Sequence, residues 1–299
     1  MKILLTGGNG FLGLYIKKKL SDNNHLMTLS RTNSDYLLSL DKVLPVFKER
    51  FDLIIHVAGK AHSIPKTEIE KRQFYDVNVT GTQNLLKGLE NRGLPKKFVF
   101  ISSVSVYGLD SGINVDEDYP LLAKDPYGLS KIAAEQLVSN WCSRNKVVCT
   151  ILRLPLLVGA NAPGNLGAMV KAIEKGFYLN IGGGNARKSM VLANDVAQFI
   201  SLVAPTGGIY NLTDGIHPNF RELSTAISVN KNKKKPFNLP LSLAKILGYI
   251  GDLLGSRSPI NSSKINKITS TLTFDDSKAR TIHNWKPQSV LEYLKENSL

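Results

Sequence analysis

Three glycines, Gly7, Gly10 and Gly13, stand three apart, directly after the apolar run Ile3-Leu4-Leu5 and at the opening of a stretch with helical spacing. Few chain paths need glycine at that spacing. The first permits a tight strand-to-helix turn, the second lets a pyrophosphate approach the main chain, and the third lets helix and strand pack closely. The helix start then offers N–H groups and a partial positive charge to an anion. The turn therefore predicts a dinucleotide site in which Gly7, Gly10, Phe11, Leu12 and Gly13 face the cofactor. The next apolar run, residues 25–29, reads as a second strand and leads into Ser30-Arg31. NAD-specific sites carry an acidic residue at that point for the ribose 2′-hydroxyl. Arg31 offers a cation suited to a 2′-phosphate, which tilts the expected cofactor from NAD toward NADP.

The rest of the first half keeps the same rhythm. Residues 2–5, 25–29, 52–57, 98–102 and 147–152 are short apolar runs, while 13–20, 78–89 and 125–143 have helical spacing, with Pro126 near the start of the last. Strands alternating with helices predict an α/β fold, a Rossmann-like doubly wound parallel sheet. Beyond Arg153 the pattern loosens. Glycine and asparagine dominate 159–167 and 182–185, a strand–turn pattern returns at 209–212, and two helical stretches flank a lysine-rich run. We expect a dinucleotide-binding domain over 1–155 with a return segment near 187–214. A smaller, irregular C-terminal substrate domain, from 156–186 and 215–299, is expected over the C-terminal edge of the sheet.

Composition excludes several classes. With 42 % hydrophobic and 21 % charged residues the chain can bury a sizeable core. No apolar run reaches the roughly 18–20 residues of a membrane span, and the apolar opening is too short for a secretory signal. Cys142 and Cys149 are too few for a disulfide framework or a metal site. A cytoplasmic protein without a metal is the expectation. Lys+Arg 38 against Asp+Glu 24 leave a net charge of +14, which suits an anionic partner. No zinc-finger or RNP signature accompanies that surplus, so nucleic acid is not expected. A diphosphate ligand or an anionic membrane surface remains.

The chemistry-bearing residues follow the glycine turn. Tyr127-Gly128-Leu129-Ser130-Lys131 places Tyr127 and Lys131 four apart on one helix face. A phenol with a pKa of about 10 is a poor base at neutral pH, and a neighbouring ammonium stabilises its phenolate. Ser103 ends the strand Phe100-Ile101-Ser102-Ser103, where its hydroxyl can bond the substrate oxygen on which Tyr127 acts. With these residues the chain resembles the extended short-chain dehydrogenase/reductase family, the NAD-dependent epimerases and dehydratases of sugar nucleotides. The matching pieces also include His56-Val57-Ala58-Gly59, Asp76-Val77-Asn78-Val79-Thr80-Gly81-Thr82, residues 153–159 and Phe274-Asp275-Asp276-Ser277-Lys278-Ala279. The resemblance implies that Ser103, Tyr127 and Lys131 are catalytic. It also implies that Ala58, Gly59 and Lys60 line the cofactor, that Asn78 borders the site and that Pro155 packs near the nicotinamide. It further implies a homodimer through the helices that carry Asn78 and Tyr127.

Three activities live on that scaffold. Dehydratases follow the active serine or threonine with an Asp-Glu pair, whereas Ser103 is followed by Val104-Ser105. Epimerase and ketoreductase remain. A cofactor-sensing regulator of this fold commonly lacks the tyrosine or the lysine, and both are present. Asn165, in Gly164-Asn165-Leu166-Gly167, resembles the family asparagine that contacts a sugar diphosphate. Arg187 and Lys188 fall where the family carries a basic residue for it, and Ser105 joins Ser103 on the substrate side. The apolar stretch 239–254 after Lys231, Lys233, Lys234 and Lys235 suits peripheral attachment to an anionic bilayer. These features look like the subgroup that epimerises N-acetylglucosamine on undecaprenyl diphosphate. The expectation is an NAD(P)-dependent 4-epimerase of a UDP- or undecaprenyl-diphosphate-linked N-acetylhexosamine, serving surface polysaccharide synthesis. The alternative is an NADPH-dependent 4-ketoreductase of a 4-keto-6-deoxy sugar nucleotide.

Overall fold

The computed structural model describes residues 1–61, 63, 65–254 and 261–297. Its strands are β1 (Lys2–Thr6), β2 (His25–Ser30), β3 (Tyr36–Leu37), β4 (Leu53–His56), β5 (Lys97–Ser103), β6 (Gly112–Val115), β7 (Val148–Leu154), β8 (Leu156–Val158), β9 (Leu179–Ile181), β10 (Met190–Leu192), β11 (Gly208–Asn211), β12 (Phe237–Leu239) and β13 (Leu272–Phe274). Its α-helices are α1 (Phe11–Leu20), α2 (Glu68–Tyr75), α3 (Gly81–Arg92), α4 (Pro126–Asn145), α5 (Gly164–Glu174), α6 (Ala193–Val203), α7 (Phe220–Asn230), α8 (Leu241–Leu253), α9 (Ser262–Thr269), α10 (Ser277–His283) and α11 (Val290–Glu296).

Successive side chains of a strand point to opposite faces, and the central strands here are apolar on both. Ile3 and Leu5 of β1, Leu53 and Ile55 of β4, and Val99 and Ile101 of β5 enter a core shared with α1 and α6. Leu4, Ile54, Phe98 and Phe100 enter a second core with Leu85 and Leu89 of α3 and Ala134, Val138 and Trp141 of α4. A sheet buried on both faces is the parallel, helix-covered kind. Seven strands form it in the order β11-β7-β5-β4-β1-β2-β3, every neighbouring pair parallel. The chain order reverses between β1 and β4, and ligands of such sheets bind where that reversal opens a crevice at the strands' C-terminal ends.

The early strands lie where the apolar runs predict them. Helix α1 begins at Phe11, two residues earlier than its spacing suggests, because Gly10 already closes the turn with its N–H on the Gly7 carbonyl at 2.9 Å. In the second half, β8 and β10 pair as a two-stranded sheet, as do β9 with β12 and β6 with β13. Leu166, Met169 and Ile173 of α5, Leu223 and Ile227 of α7, and Val290 and Leu294 of α11 build a third core there. Strand β11 rejoins the main sheet beside β7. Among the described residues no helix is long and apolar enough to cross a membrane.

Candidate active site

The glycine turn lies against the loop leaving β4. Gly7 has φ +71°, and a Cβ there would stand 2.7 Å from the Ala58 amide nitrogen. A Cβ on Gly13 would sit 2.1 Å from the Gly7 carbonyl oxygen, so helix and turn meet without room for a methyl group. Gly10 is different: its Cβ would meet the Gly7 oxygen at 3.2 Å and nothing else nearby. No side chain caps α1, and its first turn holds no acidic residue, so the helix start presents bare N–H groups. Phe11 is half-buried and Leu12 buried. Asn9 ties the turn to the loop after β2, its Nδ2 donating to Ser30 Oγ at 2.9 Å and to the Asn33 carbonyl at 3.1 Å. Arg31 sits in that loop, exposed.

Further along the same sheet edge, Ser103 ends β5 and caps a short 3-10 turn, accepting from the Ser105 N–H at 3.2 Å and donating to Ser105 Oγ at 3.2 Å. Asp125 caps α4 through the Tyr127 and Gly128 amides at 3.1 and 3.0 Å, with Pro126 in the first turn. That cap aims Tyr127 toward Ser103. Burial pushes the Tyr127 phenol above its ordinary value, a hydrogen bond with Ser103 opposes the rise, and the Asp125 charge adds to it. Phe74 of α2 packs on the phenol ring at a centroid separation of 6.0 Å. Lys131 is buried one turn later, its Nζ donating to the Ile101 carbonyl at 2.8 Å and lying 4.8 Å from the centre of the Phe100 ring. Burial lowers its pKa to about 8, opposed by the Glu135 charge. The ammonium faces Gly59, where a Cβ would stand 3.4 Å from Nζ and 3.0 Å from Asn78 Oδ1. The spacing predicts Lys131 acting on Tyr127; in the protein its Nζ faces Gly59 and the Ile101 carbonyl, and the phenol's shift comes from burial, Ser103 and Asp125.

Three supporting networks escaped the sequence reading. Asn78 lies in a π-helical turn, Asp76–Thr80, between α2 and α3. Its Oδ1 accepts the Lys60 N–H at 2.7 Å, and its Nδ2 donates to the Lys60 carbonyl and to Ser130 Oγ at 3.1 and 2.8 Å. His56, fully buried, bridges Thr6 Oγ1 at 2.6 Å and Thr82 Oγ1 at 2.8 Å. Behind Lys131, Glu135 pairs with Arg153 at 2.9 Å, and Arg153 donates to Tyr107 OH and the Glu117 carbonyl at 3.1 and 2.9 Å. An arginine in the otherwise apolar run Ile151-Leu152-Arg153-Leu154, and a glutamate one turn after Lys131, were the available signals.

The other candidate residues lie in the second half of the chain. Pro155 follows β7, half-buried, and Asn165 is exposed in the first turn of α5, which no side chain caps. Arg187 donates from Nη1 to the His217 carbonyl at 3.0 Å and lies 3.5 Å from Glu222, so its guanidinium already has protein partners. Lys188 is half-buried; burial lowers its pKa, the Asp110 charge opposes this and the Lys267 charge adds to it.

A parallel sheet with a glycine-lined turn at its crossover, beside a Ser–Tyr–Lys cluster, defines the dinucleotide-binding class of α/β enzymes. Residues 3–213 match the model of the NAD dependent epimerase/dehydratase family, and the chain belongs to that family. An N-acetyl-α-D-glucosaminyl-diphospho-ditrans,octacis-undecaprenol 4-epimerase of Escherichia coli O157:H7 is 28% identical, over 93% of this chain and 88% of its own. A GDP-6-deoxy-D-mannose reductase of Pseudomonas aeruginosa is 26% identical over 74% of this chain and 77% of its own. The human epimerase family protein SDR39U1, solved with NADPH, shares the fold with a TM-score of 0.78 at 16% identity, covering 100% of both chains. The residues present fit a nicotinamide dinucleotide: a Cβ on Gly10 would fill the space beside an uncapped helix start, in the crevice that the sheet order creates.

Proposed function

We propose that the chain is a 4-epimerase of an N-acetylhexosamine held through a diphosphate, on UDP or on undecaprenol, for surface polysaccharide synthesis. The observation that carries this reading is the Ser103–Tyr127 pair at the end of β5 with no carboxylate set beside the serine. Val104 follows Ser103, and Asp125 is spent on capping α4. Elimination of water needs an acid there; C4 oxidation and re-reduction do not. The likeness to the Escherichia coli undecaprenol-linked 4-epimerase supports the sugar and the carrier.

In this reading Gly7, Gly10, Phe11, Leu12 and Gly13 hold the cofactor pyrophosphate, and Ala58, Gly59, Lys60, Asn78 and Pro155 line the path to the nicotinamide. A nicotinamide held there would supply a reversible hydride acceptor for C4 of the sugar. Tyr127 removes the 4-hydroxyl proton and gives it back, Ser103 holds the oxygen, and Lys131 binds the ribose while its positive charge makes the phenolate accessible. Ser105, Asn165, Arg187 and Lys188 take the sugar diphosphate. Lysine grips a phosphate as a point charge and arginine as a fork; Lys188 is the better placed, since Arg187 has to leave Glu222. A second reading, the NADPH-dependent 4-ketoreductase, is favoured by Arg31 at the end of β2 and by the likeness to the Pseudomonas reductase.

The test starts with the purified protein: denature it, identify released nucleotide, then offer UDP-linked and polyprenyl-diphosphate-linked N-acetylglucosamine and look for the C4 epimer. Near-stoichiometric oxidised cofactor and an epimer lost in Tyr127→Phe are expected. An empty protein that binds NADPH far better than NADH and forms no epimer overturns the epimerase in favour of the reductase. A fully active Tyr127→Phe variant overturns the mechanism.

A further inference from the structure

Helix α8 is built inside out. Its buried positions are the small residues Ala244, Gly248 and Gly251, spaced four and three apart and so on one stripe. That stripe lies on α9: a Cβ on Gly248 would stand 2.7 Å from Ile265 Cδ1. The large apolar residues face out. Leu243, Ile246, Leu247, Tyr249, Ile250 and Leu253 are exposed, Leu253 to 89% and Tyr249 to 64%. At 100° per residue they cover an arc of roughly 160° opposite the packed stripe, with Ser242 the one polar residue inside it. In the adjoining two-stranded sheet, Phe237 and Leu179 are register partners, and both are exposed as well. A soluble surface helix normally has the opposite arrangement, and contiguous exposed apolar area of this kind marks an interaction site.

We propose that the outer face of α8 docks onto an anionic lipid bilayer, lying in the plane of the surface. Charge selects that occupant. Residues 231–254 hold five lysines against one aspartate, Asp252; Lys231 pairs with Glu174 and, on the helix that α8 packs on, Lys267 pairs with Asp110. Lys233, Lys234, Lys235 and Lys245 are exposed. A second copy of this chain would bring the same cationic rim, within a +14 molecule, against itself. An anionic bilayer instead offers negative headgroups to the lysines and an apolar layer beneath them to the leucines and isoleucines. The 13 residues of α8 span about 20 Å, long enough to lie along the interface and too short to cross it. The inference does not depend on which sugar or carrier the active site takes.

Sedimentation of the full chain with vesicles tests it, using phosphatidylcholine alone and phosphatidylcholine mixed with phosphatidylglycerol. Wild type sediments with the mixed vesicles, at least tenfold more weakly with neutral ones, and is released by high salt. Replacing Lys233, Lys234 and Lys235 with glutamine lowers partitioning into the mixed vesicles on the order of 100-fold. Combining Ile246→Ser, Ile250→Ser and Leu253→Ser abolishes it, while NADPH or NADH binding and the thermal midpoint stay at wild-type values, because these side chains touch solvent. Absence of wild-type sedimentation overturns the proposal, as does equal binding to both vesicle types. So does a dimer in lipid-free light scattering that the serine substitutions dissolve, which would assign the face to a second copy.

Discussion

His56 is held neutral by a hydrogen-bond chain whose direction its partners dictate. Thr82 Oγ1 donates to the Asn78 carbonyl at 2.6 Å, so it receives the Nε2–H of His56. With the ring proton on Nε2, Nδ1 is an acceptor, and Thr6 Oγ1, which also receives the Ala58 N–H at 3.1 Å, donates to it. A second proton on the ring would force the Thr6 hydroxyl to turn from donor to acceptor, and burial, reinforced by the Lys131 charge, lowers the His56 pKa to about 3. An unfolded chain's histidine takes up that proton near pH 6.5. Between the two values the unfolded state binds more protons, so stability falls with falling pH, by roughly 1.4 kcal/mol per unit from this group. Urea unfolding from pH 7 to pH 4 should show His56→Gln losing stability less steeply than wild type. Equal slopes would mean that the ring does take up a proton in the folded protein.

At the scale of the element, the glycine turn separates two demands that one spacing pattern hides. Gly13 is required by packing, since its Cβ would overlap the Gly7 oxygen, while a Cβ on Gly10 would meet only that oxygen, at 3.2 Å. Gly13→Ala should therefore lower the thermal midpoint and weaken dinucleotide binding together, with a stability loss of about 1–3 kcal/mol from overpacking. Gly10→Ala should leave the midpoint within a few degrees of wild type and still weaken binding at least tenfold, because its methyl group occupies the pyrophosphate's approach. Calorimetric melting and cofactor titration of both variants check this; a Gly10→Ala protein with undiminished binding would place the dinucleotide elsewhere. The π-helical turn at Asp76–Thr80 has a comparable local logic. It gives Asn78 a wider turn in which its carbonyl takes Thr82 Oγ1 while its side chain clasps Lys60.

Across the whole molecule, the Glu135–Arg153 pair couples the site to the sheet. Both residues are buried, and the network runs from α4 through β7 to Tyr107, whose OH donates to Asn211 Oδ1 of β11 at 2.8 Å. Asn211 Nδ2 in turn reaches the Val115 carbonyl of β6 at 3.2 Å. Removing one charge strands the other. Glu135→Gln should cost about 3–5 kcal/mol of stability, and without the Glu135 charge Lys131 should lose its proton at a lower pH. Pairing Glu135→Met with Arg153→Met should recover part of the stability in urea unfolding. No recovery would show that the hydrogen bonds of Glu135 from Ser102 Oγ and of Arg153 to Tyr107 and Glu117 matter more than the charges.

The chain alone determined the doubly wound parallel sheet, the place of Ser103 at the end of a core strand, and that of Tyr127 and Lys131 on one face of a helix. Those depend on periodicity and on glycine and proline chemistry, which are local properties. Two things needed the tertiary structure. One was the company of the buried polar groups: Lys131 turned toward Gly59 and Asn78, Arg153 on Glu135, His56 between two threonines, Arg187 already taken by His217 and Glu222. Those partners lie far apart in sequence, and no spacing encodes them. The other was which face of α8 is buried. An apolar stretch reads equally as core or as surface until its neighbours are placed, and here the buried residues of α8 are Ala244, Gly248 and Gly251, small side chains that let α9 approach closely.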